Sequence, residues 1–245
     1  VVNSIGDTIN KLNFVFKLEK KESPNFNLDL SDVEKVDILG ILIFYKFIEY
    51  SVEKKCFKNP RTNYIDDNLK IREFAKLFGF DEYITAYINN KDLNKALSKL
   101  EIETVEGFLI APQVLVRGNA QTKKDFDVKF MNALVNFYGL ELKNFIQAIL
   151  QCGVEISSNF YNHAKTDTKS IILARGSKGS VEIACADTGD GLLETLRELK
   201  EYKSFSDFEL IKKAFNKNVT SKPNTTHMGY GLWFLLEIVK RFDGY

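Results

Sequence analysis

The stretch Ser170-Ile-Ile-Leu-Ala-Arg-Gly-Ser-Lys-Gly-Ser-Val-Glu-Ile-Ala-Cys-Ala-Asp187-Thr-Gly-Asp-Gly191 reads as two strands and a loop. Ser170 to Ala174 and Val181 to Ala186 are short apolar runs. Arg175-Gly-Ser-Lys-Gly179 between them has the glycine and serine content of a hairpin turn. The second strand delivers a carboxylate, Asp187, to a loop whose glycines, Gly189 and Gly191, let the backbone turn sharply and approach a ligand closely. That design serves a binding loop and an ordinary turn alike. An EF-hand fails on it, because the spaced oxygen ligands and the closing glutamate are absent.

Upstream, Leu140 to Ala164 reads as one long helix on which Glu155, Asn159 and His163 recur at four-residue steps. The spacing lines a carboxylate, an amide and an imidazole along one face, while Ile149, Ile156 and Phe160 take another. A solvated polar stripe has the same spacing, and His163 fits a residue that packs beside the next strand. Downstream, Ser206-Asp-Phe-Glu209 is a capping box opening a short helix through Phe215. Val219-Thr-Ser-Lys-Pro-Asn-Thr-Thr-His-Met228 follows, polar and suited to a lid. Gly229-Tyr-Gly231 then opens a helix through Val239 and offers bare backbone N–H groups and the positive end of a helix dipole to an anion. Trp233, in the apolar part of that helix, reads as core.

This order of helix with Glu and Asn, strand ending in Asp-x-Gly-x-Gly, lid, and Gly-x-Gly opening a helix resembles the Bergerat-fold ATPases, a superfamily that includes gyrase, histidine kinases and anti-sigma-factor kinases. The resemblance covers about Leu140 to Tyr245. It implies an α/β fold of the two-layer α+β sandwich kind, with ATP and Mg²⁺ as ligands. Asn159 matches the asparagine that ligates Mg²⁺, an ion that prefers hard oxygen donors, phosphate and water. Asp187 matches the aspartate that accepts from the adenine amine, with Gly189 and Gly191 beside the base. Gly229 and Gly231 match the glycines facing the phosphates. Thr220, Ser221 and Lys222 resemble the lid segment that reaches the terminal phosphate.

Glu155 stands four residues before the metal asparagine, where gyrase-type ATPases and anti-sigma-factor serine kinases carry glutamate and many histidine kinases carry asparagine. A carboxylate there implies a general base acting on water or on a serine hydroxyl. The chain has 2 His, His163 and His227, neither upstream of the ATP-binding half. A histidine autokinase is therefore disfavoured. The leading expectation is slow ATP hydrolysis, with nucleotide state controlling a regulatory protein partner. A protein-serine kinase of the anti-sigma-factor type is the alternative, and a non-catalytic nucleotide-sensing scaffold the third. A homodimer is common in the superfamily.

The first half reads as strands at Lys11 to Glu19 and around Phe26 to Leu30, then a helix from Ile38 through Val52 with Leu42, Ile43, Phe47 and Ile48 on one side and Lys46, Glu49 and Glu53 on the other. A further helix is expected from Leu69 to Phe78, with Gly79 as its C-terminal cap, and Leu93, Leu97 and Leu100 fit a helix beyond. Phe26-Asn-Leu-Asp-Leu-Ser-Asp-Val33 and Ile71 to Phe80 resemble STAS-like domains. The family's phosphoacceptor serine has no counterpart in Asp37-Ile-Leu-Gly40, so a structural or partner-binding role is implied. Phe108 to Val116 is an expected strand that Pro112 confines to an edge or bulge. Gly118 to Lys124 is the expected junction, with a helix beginning at Asp125. The division is thus a STAS-like module over 1–117 and a Bergerat-type domain over 118–245.

Composition fits these readings. Hydrophobic residues make up 44% and charged residues 27% of 245, as in folded domains and unlike disordered chains. A net charge of +1 supplies no global field for nucleic acid or anionic membrane. Cys56, Cys152 and Cys185 form neither a CxxC pair nor a disulfide framework, which points to a reducing, cytoplasmic setting. The apolar run from Val36 to Ile48 is too short to span a bilayer. The chain begins on Val1, and Arg241 to Tyr245 has turn chemistry that introduces another strand. Continuation at both ends is expected.

Overall fold

A computed structural model describes residues 37–53, 79–89, 91–97, 108–164, 169–187, 189–221 and 229–244. The strands expected before Ile38, the helix expected from Leu69 to Phe78, and the stretches carrying the STAS-like resemblance lie outside these residues, apart from Gly79 and Phe80. The chain divides into two units, Val1–Glu106 and Gly107–Tyr245.

In the first unit, α1 (Ile38–Glu53), α2 (Phe80–Ile88) and α3 (Leu93–Leu97) are described. Asp37 begins α1 by accepting a hydrogen bond from Gly40 N at 2.7 Å through Oδ1. Ile41, Leu42 and Tyr45 are buried on α1, and Tyr83 of α2 packs edge-on against Tyr45 at 4.5 Å. Glu49, expected on the solvated side, is buried instead. Its carboxylate is compensated there, since Lys46 Nζ lies 2.8 Å away and the Tyr83 hydroxyl donates to it. Burial, and then the Glu49 charge, push the Tyr83 phenol far above its usual range, so it keeps its proton and remains a donor. Gly79 adopts the left-handed conformation and immediately precedes α2.

In the second unit, β1 (Phe108–Val116), β2 (Lys169–Gly176) and β3 (Val181–Asp187) form an antiparallel sheet in that order. The strand at 108–116 pairs with β2, from Phe108 opposite Arg175 to Val116 opposite Lys169. Sheet pairing thus takes this strand into the second unit, and the boundary falls after Glu106, where the sequence reading put it after 117. Among the described residues β1 lies at an edge, as Pro112 predicts, and its register shifts between Ile110 and Gln113.

The expected junction is the start of α4 (Ala120–Tyr138): Asn119 accepts from Gln121 N and caps the helix, which begins five residues before Asp125. A short 3₁₀ turn, Leu140–Leu142, leads into α5 (Lys143–His163). Phe126, Phe130, Leu134 and Tyr138 of α4 and Ile146, Ile149 and Phe160 of α5 form one core with Leu115, Ile172 and Ala174 of the sheet. The helices meet closely at Gly153, where a β-carbon would stand 2.5 Å from the Phe130 ring.

After β3 come α6 (Gly191–Arg197), a 3₁₀ turn at Lys200–Tyr202, α7 (Asp207–Ala214) and α8 (Gly231–Arg241). The sequence reading leaves α6 and that 3₁₀ turn unassigned. A second, smaller core of Leu196, Tyr202, Leu210 and Ala214, backed by Val219 and Leu232, gathers them. The capping box at Ser206 and Glu209 is present as read. Trp233 differs from its reading as core. It is half-buried on α8, with Lys217 Nζ 4.0 Å above its ring and Tyr230 against it.

Candidate functional site

A cavity of about 690 Å³ opens beside α5. Glu155, Asn159 and His163 line it together, as side chains four residues apart on one helix face must. The end of β3 supplies Asp187, Gly189 and Gly191; the segment after α7 supplies Thr220 and Ser221; the start of α8 supplies Gly229 and Gly231. Lys222 and His227 lie outside the described residues. The chain therefore brings together side chains that are separated by more than seventy residues.

The two ends of the cavity differ in chemistry. At one end Gly231 faces α5 so closely that a β-carbon on it would be 2.9 Å from Glu155 Oε2 and 3.5 Å from Asn159 Oδ1. Two side-chain oxygens thus converge on the first residue of α8, where unpaired N–H groups and the positive helix end lie. Gln151 Nε2 donates to Glu155 Oε1 at 3.1 Å, which leaves Oε2 as the oxygen nearest Gly231. Cys152 lies one turn before this carboxylate and is buried. Burial, and then the Glu155 charge, push its thiol up to about 11, so it stays protonated and unreactive near neutral pH.

At the other end Asp187 Oδ1 accepts from Gly189 N at 2.7 Å, an Asx turn that fixes one carboxylate oxygen. A β-carbon on Gly189 would strike that oxygen at 2.8 Å and meet Ala164 Cβ at 3.7 Å. Behind it, Ser170 is fully buried opposite Asp187 in the β2–β3 pairing, and its Oγ donates to Ala186 O at 3.1 Å. From Glu155 to Ala164 α5 rises about 13 Å at 1.5 Å per residue. Residues lining the cavity run over that length of the helix, with Asp187 and Gly189 beside Ala164 and the Glu155 and Asn159 oxygens over the start of α8.

The segment after α7 is held at both sides. Gly229 is in the left-handed region at φ 68°, and its α-carbon faces the Val219 main chain, whose N, C and O atoms would lie 2.7 Å from an added β-carbon. Ser221 is tied across the cavity, its Oγ 3.0 Å from His163 Nδ1. His163, read as a packing residue, thus faces the cavity and a hydroxyl 58 residues downstream, a contact that sequence spacing cannot reveal. The reading also missed Leu232, Leu235 and Ala214, which give the cavity an apolar wall.

Among the described residues no three His, Cys, Asp or Glu side chains form a metal cage. Asn159 Oδ1 is instead a single hard-oxygen donor of the kind that suits Mg²⁺, an ion that completes its shell with water and phosphate. No described helix is long and apolar enough to cross a membrane. Comparison with protein-family models, with curated proteins and with solved structures found no match.

Proposed function

We propose that this chain is a Bergerat-type, Mg²⁺-dependent ATP-binding protein behind a STAS-like module, cytoplasmic, hydrolysing ATP slowly and using nucleotide state to control a regulatory protein partner. One observation carries the reading. Glu155 Oε2 and Asn159 Oδ1 converge on the start of α8, and Gly189, tied to Asp187, meets Ala164 nine residues after Glu155, about two and a half helical turns along the axis. An extended nucleoside triphosphate needs that separation between what holds its base and what holds its phosphates.

Asp187 would accept from the exocyclic amine of adenine, and a guanine carbonyl at the same position would be repelled. The N–H groups at Gly231 and the helix dipole would stabilise phosphate oxygens. Asn159 Oδ1 would hold Mg²⁺, which when bound neutralises charge on those oxygens. Glu155 Oε2 would take the proton of an attacking water, and Gln151 holds the other carboxylate oxygen in place.

The test is nucleotide affinity and ATP turnover in the parent, Glu155→Ala and Asn159→Ala. Binding can be read from the fluorescence of Trp233, as the chain has 1 Trp. Glu155→Ala should bind ATP and lose turnover by about 10²–10⁴. If Asn159→Ala binds Mg²⁺–ATP as tightly as the parent, the reading of this helix is wrong. A serine-kinase reading has its own support in Ser221, a cavity hydroxyl already hydrogen-bonded to a base.

A further inference from the structure

We infer that Ser221 is a phosphoryl acceptor within its own chain, activated by His163, an inference that rests on the nucleotide reading above. Ser221 Oγ is 3.0 Å from His163 Nδ1, within the roughly 2.6–3.2 Å at which a nucleophile and its general base are recognised. Both residues line the cavity that holds Asn159 and Gly231. His163 follows Asn159 by one turn on the same face of α5, about 6 Å along the axis, so the hydroxyl is held about one turn from Asn159 and about two from Glu155. Ser221 is half-buried, which screens it from bulk water and leaves it reachable from the cavity.

The step balances without another reactant. The Oγ attacks the γ-phosphorus of ATP as its proton passes to His163 Nδ1, which must be the unprotonated ring nitrogen. The Oγ–P bond forms, the bond from that phosphorus to the β,γ-bridging oxygen breaks, and the bridging oxygen leaves with its electron pair as ADP. The phosphoserine adds about −1.5 to −2 charge to the cavity wall. A further triphosphate then binds more weakly, so the marked chain hydrolyses ATP more slowly than the unmarked one.

The experiment combines mass spectrometry of the intact chain after incubation with Mg²⁺–ATP, peptide mapping, and Trp233 fluorescence titration with ATP. One phosphate per chain on Ser221 is expected, at a rate independent of protein concentration. Ser221→Ala should stay unlabelled, and at saturating ATP His163→Gln should label about 10²-fold more slowly. Ser221→Asp, carrying the added charge, should bind ATP roughly tenfold more weakly. Bound nucleotide with no phosphate on Ser221, or phosphate on Thr220 instead, overturns the inference and leaves the nucleotide reading standing. No change in fluorescence and no retained nucleotide on the parent chain would remove both.

Discussion

Gly231 and Glu155 stand so close that a β-carbon on the glycine would lie 2.9 Å from the carboxylate Oε2. This helix start therefore has glycine for lack of room rather than for backbone freedom, since α8 begins there in ordinary helical geometry. The far end of a Glu side chain can move aside, so Gly231→Ala should fold. Its methyl group would fill the space between the α8 N–H groups and the two α5 oxygens. Titration of Trp233 fluorescence should show ATP affinity falling by about tenfold or more, a loss of ~1.4 kcal/mol, with the melting temperature little changed.

Gly229 presents the opposite case. Its φ is 68°, and the atoms an added β-carbon would meet at 2.7 Å are Val219 N, C and O. Main chain cannot swing away as a carboxylate can. Gly229→Ala should cost ~1–3 kcal/mol in urea unfolding, from strain in the left-handed region and the displaced Val219 backbone. It should also weaken ATP binding, because Gly229 leads directly into Gly231, where α8 begins opposite Glu155 and Asn159.

Gly153 tests whether the helix pair under the site sets stability separately from ligand affinity. A methyl group there would meet the ring of Phe130, itself fully buried, at 2.5 Å. The ring stacks on Phe126 at 5.5 Å and belongs to one buried core with Leu134 and Ile149, an interior of the close-packed kind that leaves little room to move. Gly153→Ala should lose ~1–3 kcal/mol by denaturant titration. Its ATP affinity under native conditions should stay near the parent's, since Gly153 lies on the core side of α5.

What could be read from the sequence was local. The hairpin around Arg175 to Gly179, the edge position of Pro112 and the Ser206–Glu209 capping box each depend on neighbours within a few residues, and each is found. Pairings across distance were not legible. Phe108 to Val116 reads locally as part of the first module, because its partner strand lies more than fifty residues downstream. Glu49 reads as a residue of the solvated face, because its buried partner Tyr83 is 34 residues away. The site itself was legible as residue types at fixed spacing along α5, but the link from His163 to Ser221 was not, since no periodicity connects a helix end to a loop.

The last prediction concerns acid. Ser206 donates to Glu209 through its hydroxyl at 2.7 Å and its backbone N–H at 2.9 Å, and these bonds hold the Glu209 carboxyl below its usual range. A carboxylate lowered in the folded state stabilises the fold above its unfolded pKa of about 4.3, and that contribution disappears as pH falls through the lower, folded value. The capping box starts α7, whose Leu210 and Ala214 are buried in the smaller core, and Ala214 also forms part of the cavity wall. Melting curves should therefore separate the parent from Glu209→Gln by a constant margin at neutral pH and converge below about pH 4. Because Glu209 is exposed, raising the salt concentration should shrink the margin as well. A margin that persists unchanged to pH 3 would mean that the ionised carboxylate contributes nothing to α7.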